Sequence, residues 1–140
     1  MENMNIYKCW FDGACEPINP GGKASFGIVI ECDGETIHET SGIIGSGPAM
    51  SNNVAEYAGI SEIFGYLLSI EAKGEVFIKG DSNMVVEQLN GRWKARGGLY
   101  FDFYKRAKEQ LAKLKQNCTV TIQWIPREEN DRCDRLSKGA

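Results

Sequence analysis

Residues 75–89, EVFIKGDSNMVVEQL, contain the pattern that decides the fold. The short apolar run over 75–80 predicts a strand, and residues 82–89 predict a short helix that ends at Asn90-Gly91. Asp81 lies where the strand passes into the helix. Because a strand, a helix and a further strand in succession indicate a parallel crossover, this part of the chain predicts parallel pairing.

Upstream of this unit, three runs of alternating, β-branched and aromatic residues predict strands over 6–11, 24–32 and 36–44. Their short connections predict an antiparallel meander, and Asp33-Gly34 is typical of a tight hairpin turn. Apolar residues recur at helical spacing from Asn52, with Ser51 or Asn52 as the N-cap. This helix places Glu56 in its first turn.

Downstream, residues 99–115 predict a longer amphipathic helix and residues 118–125 a strand. Pro126 ends that strand, and a last short helix capped by Asn130 follows. The order of elements predicts an α/β fold, with a mixed five-stranded sheet of three antiparallel and then parallel strands flanked by helices.

Composition and charge set broader bounds. The 140 residues are 42% hydrophobic and 25% charged, which is typical of one soluble domain over 1–140. No apolar run reaches the roughly 20 residues of a membrane span and no signal peptide is visible, so we expect a cytoplasmic protein. The net charge of −3 disfavours nucleic-acid binding, but residues 92–115 contain eight Lys or Arg against two acids. A solvated helix face is the alternative interpretation of that run.

Four acids carry the chemistry: Asp12 ends the first strand, Asp81 the fourth, and Glu56 and Asp134 begin helices. Ligands gather where parallel strands end, so the four are expected to converge. Two carboxylates about 4 Å apart repel by about 4 kcal/mol at an effective dielectric constant of about 20. Hard cations such as Mg²⁺ or Mn²⁺ compensate such clusters, and a pair of them can hydrolyse a phosphodiester. Taken singly, each acid could instead cap a helix or lie on the surface.

Four segments resemble the signature motifs of the type 1 ribonuclease H family: Phe11–Gly22, Ser51–Tyr57, Gly80–Ser82 and Glu129–Leu136. The resemblance implies the ribonuclease H fold and hydrolysis of the RNA strand in RNA/DNA hybrids, leaving 5′-phosphate and 3′-hydroxyl ends. It also implies that the four acids bind two Mg²⁺ or Mn²⁺ ions.

The resemblance further implies substrate contacts. Asn52 and Asn53 match paired amides that reach the minor groove of the hybrid, and Asn83 matches a position where glutamine is common. Asn19 matches another backbone or base contact, and Ser51 a contact to a DNA phosphate. Amides and hydroxyls of this kind can distinguish 2′-OH groups from deoxyribose without reading sequence. Helix capping is the alternative role for Asn52 and Asn53.

The sequence departs from the family pattern in two places, which indicates a short form. Many members carry a histidine between the last strand and the last helix, whereas the single histidine here, His38, lies on the predicted third strand. Arg127 or Glu128 is the candidate substitute. Larger members also have a basic protrusion, which is trimmed here to residues 91–98.

The cationic run that remains, with Arg92, Trp93 and Lys94, is interpreted as a grip on the DNA strand; a core anchor is the alternative for Trp93. We expect a monomer whose partner is an RNA/DNA hybrid. Two alternatives stay open: another nuclease of the same fold, such as a Holliday-junction resolvase or an integrase-like core, or a catalytically inactive nucleic-acid-binding domain.

Overall fold

A computed structural model describes residues 4–139 and contains one five-stranded sheet in the order β3-β2-β1-β4-β5. The strands are β1 (Asn5–Glu16), β2 (Lys23–Cys32), β3 (Glu35–Ser46), β4 (Gly74–Gly80) and β5 (Cys118–Trp124). The first three pair antiparallel, and β4 and β5 continue the sheet parallel to β1. The predicted mixed sheet is confirmed, and β1 lies directly beside β4 in it.

Within residues 4–139, four α-helices flank this sheet: α1 (Asn52–Ser69), α2 (Asn83–Leu89), α3 (Phe101–Leu114) and α4 (Asp131–Ser137). The apolar faces of α1, α2 and α3 form the main core with alternate residues of the strands, such as Phe11, Ile28 and Ile78. The helix α4 lies on the opposite face of the sheet, where it contacts β1 and β2. None of the helices in residues 4–139 has the length and apolar character needed to traverse a lipid bilayer.

Turns and caps follow the local sequence. Asp33 and Gly34 both have positive φ, 50° and 90°, as a primed hairpin turn requires. Ser51 is the N-cap of α1, and its hydroxyl accepts a hydrogen bond from the Val54 N–H at 3.2 Å. Ser82 is likewise the N-cap of α2 and not its first residue. Because α1 begins at Asn52, Glu56 lies just beyond the first turn in which it was predicted.

The strand β1 is longer than predicted, and the difference concerns Asp12. Parallel pairing with β4 ends at Phe11 opposite Gly80, whereas antiparallel pairing with β2 continues to Glu16 opposite Lys23. Asp12 therefore lies within β1, at the point where its β4 neighbour stops. The hydrogen bonds to β2 keep this part of the chain extended although β4 has already turned away.

Candidate active site

Three of the four predicted acids meet where β4 ends. Asp12 lies on β1, Asp81 follows the last residue of β4, and Glu56 extends from α1. Each offers a carboxylate oxygen such that the three oxygens lie within 4.8 Å of one another. Asp12 and Glu56 are buried, with 3% and 8% exposure, while Asp81 is partly exposed. The predicted convergence on one edge of the sheet is therefore present in the fold.

Two glycines bring helices close to Asp12 from both faces of the sheet. A Cβ atom on Gly13 would lie 2.5 Å from the backbone of Ala55 and Glu56 in α1. A Cβ atom on Gly27, the β2 partner of Asp12, would lie 2.6 Å from the Cys133 carbonyl in α4. Both approaches need a residue without a side chain. They let α1 and α4 present their acids to the same strand position.

Asp134 is the acid that α4 presents. It lies in the first turn of that helix, as predicted, and within hydrogen-bonding reach of the Asp12 carboxyl group. Its own carboxylate also pairs with Lys138, one turn further along, at 3.4 Å. Asp134 thus stands beside the three-acid cluster, in contact with Asp12.

The cluster is electrostatically unfavourable without a cation. Burial, the Asp81 charge and the contact with Asp134 raise the pKa of Asp12 above its ordinary value of 3.8. Burial first, and then the charges of Asp12 and Asp81, raise the pKa of Glu56 well above 4.5. The cations paired with the site are Arg127, 3.4 Å from Asp81, and Lys138; both are largely exposed to solvent and compensate weakly.

The donor atoms fit a hard divalent cation. Glu56 Oε2 is buried and has no hydrogen-bond partner within residues 4–139, which is costly for a carboxylate unless a ligand binds there. Carboxylate oxygens are the ligands that Mg²⁺ and Mn²⁺ prefer. A divalent metal at Asp12, Glu56 and Asp81 is the simplest compensation for this buried charge.

Asn130 has a role that the sequence did not indicate. It is the N-cap residue of α4, as predicted, but its side chain makes no capping hydrogen bond. The side chain is 2% exposed and donates hydrogen bonds to the Phe11 carbonyl at 2.8 Å and to Asp81 Oδ1 at 3.4 Å. The amide therefore joins the start of α4 to β1, which carries Asp12, and to Asp81 at the end of β4. No local signal predicts this, because its partners lie 119 and 49 residues away.

The residues proposed to contact substrate lie on the same edge of the sheet. Asn19, in the β1–β2 connection, accepts a hydrogen bond from the Asn52 N–H at 2.9 Å, which brings that connection to the start of α1. Asn52 and Asn53 are exposed in the first turn of α1, and Asn83 is the exposed first residue of α2, two positions after Asp81. Ser51 is occupied as the N-cap but remains partly accessible.

The segment between α2 and α3 presents the predicted cationic residues. Trp93 is 48% exposed and is therefore not a core anchor. Arg92 makes a two-point ion pair with Glu87, at 2.7 and 2.6 Å, so its guanidinium group is partly engaged. Lys94 is exposed. The structure thus leaves Trp93 and Lys94 on the surface, beside an arginine that is held to α2.

The sequence is similar to those of known proteins. A family model described as reverse transcriptase-like matches residues 10–140. The bifunctional protein Rv2228c of Mycobacterium tuberculosis is 31% identical over 123 residues, 87% of this chain and 32% of that protein. Ribonuclease HI of Halobacterium salinarum is 29% identical over 136 residues, 94% of this chain and 62% of that enzyme. The chain therefore spans about a third of the length of the first of these relatives.

Solved structures give the same result. The N-terminal RNase H domain of Rv2228c, fused to maltose-binding protein, has a TM-score of 0.83 and 28% identity, with 96% of this chain and 98% of that one covered. LC11-RNase H1 in complex with an RNA/DNA hybrid has a TM-score of 0.81 and 28% identity, with 96% and 95% covered. By the matching model, the chain belongs to the reverse transcriptase-like family, and its fold is similar to that of these RNase H structures.

Proposed function

We propose that this protein is a metal-dependent endonuclease that hydrolyses the RNA strand of RNA/DNA hybrids. The observation that carries the proposal is the approach of Asp12, Glu56 and Asp81 to within 4.8 Å, with Asp134 against Asp12. The relatives with this fold include a ribonuclease HI and an RNase H1 bound to a hybrid. Monomeric state and cytoplasmic location stay predictions from the sequence.

The four acids would hold two Mg²⁺ or Mn²⁺ ions, Asp12 and Asp81 contributing to both, Glu56 to one and Asp134 to the other. When bound, the ions would supply an activated water and neutralise the charge on the leaving oxygen, giving 5′-phosphate and 3′-hydroxyl ends. Glu56 also lies beside the residues proposed to contact RNA, and we propose that it accepts a hydrogen bond from the 2′-OH of the cleaved nucleotide. The Asn130 amide keeps Asp81 aligned with β1.

Hybrid recognition is proposed for the edge formed by Asn19, Asn52, Asn53 and Asn83, with Ser51 at a DNA phosphate. Amides on this edge suit a wide, shallow minor groove, where 2′-OH groups mark one strand and deoxyribose the other. We assign the DNA strand to the segment that carries Arg92, Trp93 and Lys94. Few phosphates can be neutralised there, so binding should be weak and should fall only moderately with rising salt.

The direct test is cleavage of four labelled substrates with Mg²⁺ or Mn²⁺: RNA/DNA hybrid, single-stranded RNA, double-stranded RNA and double-stranded DNA. We expect internal cleavage of the RNA in the hybrid and complete inhibition by EDTA, since without a cation the clustered carboxylates would repel the phosphodiester. Asp81→Asn protein, purified in the same way, controls for a contaminating nuclease. An intact hybrid would refute the proposal and favour a non-catalytic binding domain, whereas cleavage of double-stranded DNA would favour another nuclease of this fold.

Arg127 is the better candidate for the position of the missing loop histidine, because its Nε lies 3.4 Å from Asp81 Oδ2. An arginine stays protonated and cannot act as a general base, so its contribution would be charge stabilisation. An exposed ion pair is worth at most about 1 kcal/mol, so Arg127→Ala should lower kcat by about three- to fivefold.

Arg127 and Glu128 lie in a single turn of 3₁₀ helix, Arg127–Glu129, between β5 and α4. Because Glu128 is exposed, Glu128→Ala is the matched control. Its kcat should stay within about twofold of the wild-type value, as for most surface substitutions. Equal losses in the two variants would show that the turn matters only as a structural element. Single-turnover cleavage of a saturating hybrid measures the difference without a contribution from product release.

A further inference from the structure

Gln88 is a buried amide whose hydrogen bonds join α1 to the loop between α2 and α3. It lies on α2 and is 3% exposed. Its Oε1 accepts a hydrogen bond from the Tyr57 hydroxyl at 2.5 Å, and its Nε2 donates to the Lys94 carbonyl at 3.3 Å and to the Tyr100 hydroxyl at 3.0 Å. Since a carbonyl can only accept, the bond to Lys94 fixes the orientation of the amide. We call Gln88 and these three partners the Gln88 hub.

The hub is bounded by aromatic rings that hold it rigid. The Tyr57 ring is fully buried and stacks on Tyr100 with centroids 5.8 Å apart and an angle of 11° between the rings. Tyr104 of α3 packs edge-on against Tyr57 at 5.7 Å. Tyr57 directly follows Glu56 in α1, so the hub is tied to the helix turn that carries a proposed metal ligand.

The middle of the loop over residues 91–100 is held in place by this hub. Its start is held at α2, because the N–H groups of Arg92 and Trp93 both donate to the Glu87 carbonyl. Its end is held by a hydrogen bond from the Phe101 N–H to the Gly98 carbonyl. Residues 94–97 lie between these points. In the described part of the chain, the hydrogen bond that holds them is the one that the Lys94 carbonyl accepts from Gln88.

We propose that Gln88 is a positioning residue for substrate binding, which fixes the loop with Trp93 and Lys94 at a set place relative to Glu56. This rests on the proposed hybrid nuclease activity. The buried amide touches none of the four acids, so its loss should weaken capture of the hybrid without changing the chemical step. The distance between the loop and the acids would then decide which DNA phosphates are engaged when the RNA strand is at the site.

The test compares wild-type protein with Gln88→Met, which keeps the length of the side chain and removes all three hub bonds. Gln110→Met is the matched control, because it makes the same substitution at an amide of α3 whose hydrogen bonds go to Ser61 of α1 and not to the loop. The first readout needs no nuclease activity: the rate of trypsin cleavage after Lys94 and Arg96 in the folded protein, followed by mass spectrometry. The second is KM and kcat on a labelled hybrid at several salt concentrations.

We expect Gln88→Met to speed loop cleavage by trypsin by at least about tenfold, since local opening loses its main opposing bond. KM should rise by about five- to tenfold and become less dependent on salt, with kcat within about twofold, because a released loop contributes less phosphate contact. Gln110→Met should change loop cleavage and KM by less than about twofold, because its hydrogen bonds lie outside the hub.

Equal changes in Gln88→Met and Gln110→Met would overturn the proposal, because they would indicate general loss of packing. Unchanged loop cleavage in Gln88→Met would overturn it as well. If Gln88→Met does not fold, Tyr100→Phe removes one loop-side bond and should speed loop cleavage by about threefold; no increase would refute the proposal. A wild-type protein that fails to cut the hybrid would refute the proposed function, and the trypsin comparison would then decide the role of Gln88 alone.

Discussion

Asp12→Asn should abolish hybrid cleavage and, at the same time, make the metal-free protein more stable. Cleavage should fall by at least about a thousandfold, because a neutral amide binds a hard divalent cation far more weakly than a carboxylate does. Stability should change in the opposite direction because Asp12 is buried and is flanked by Glu56, Asp81 and Asp134. The charge that would serve catalysis therefore opposes folding when no cation is bound.

The pH dependence of the unfolding free energy shows whether the charge on Asp12 stabilises or destabilises the folded protein. The folded-state pKa of Asp12 is raised above 3.8, so its contribution to stability is fully present below about pH 4 and is lost as pH rises through the raised pKa. In EDTA, wild-type protein should lose stability between about pH 4 and pH 8, and Asp12→Asn should exceed it by about 1–3 kcal/mol at the upper end. Urea unfolding at several pH values measures the difference.

Asp102→Asn is the control, because that carboxylate is 92% exposed on α3. It should leave both hybrid cleavage and the pH dependence unchanged. Addition of Mg²⁺ should stabilise the wild-type protein and this control by mass action, and Asp12→Asn much less. An Asp12→Asn protein that is less stable than wild type near pH 8, or that still cleaves the hybrid, would contradict the proposed arrangement of charge.

Gly13→Ala is expected to damage both the fold and the site. The added methyl group would lie 2.5 Å from the backbone of Ala55 and Glu56, and backbone cannot rotate away as a side chain can. Relief requires α1 to move off β1, which should cost about 2–4 kcal/mol of unfolding free energy. Since Glu56 would move with α1 relative to Asp12, hybrid cleavage by the folded protein should fall by about a hundredfold.

Gly65→Ala provides the comparison, since it makes the same substitution further along α1. Its Cβ would lie 3.5 Å from Gln110 Nε2, an ordinary contact, and alanine favours a helix interior over glycine. The variant should be as stable as the wild type or more stable by about 0.5–1 kcal/mol, with normal cleavage. Equal melting temperatures for the two variants would show that the contact between α1 and Gly13 can yield.

Most of the fold was predictable because its signals are local. Alternating residues and the Asp33-Gly34 turn indicate the meander without reference to the rest of the chain, and Ser51 marks the start of α1. The exact length of β1 was not predictable, because the residues after Phe11 stay extended only through pairing with β2. The place of Glu56 beyond the first turn depended on choosing Ser51 over Asn52 as the cap.

The convergence of the acids was predictable from where strands end, since parallel strands finish at one edge of the sheet. The polar groups that hold this edge together were not. The residues around Asn130 predict only that it caps a helix, and the residues around Gln88 predict only that it lies within one. Their roles depend on partners such as the Phe11 carbonyl and the Tyr57 hydroxyl, which only tertiary structure brings near.

The glycines on either side of the sheet have a genetic consequence. Neither Gly13 nor Gly27 can touch a substrate through a side chain, yet each lies where any added carbon meets the backbone of a helix that carries an acid. Every missense change in either codon adds such a carbon. Selection on activity would therefore hold these two codons as tightly as those of the carboxylates, for reasons of space alone.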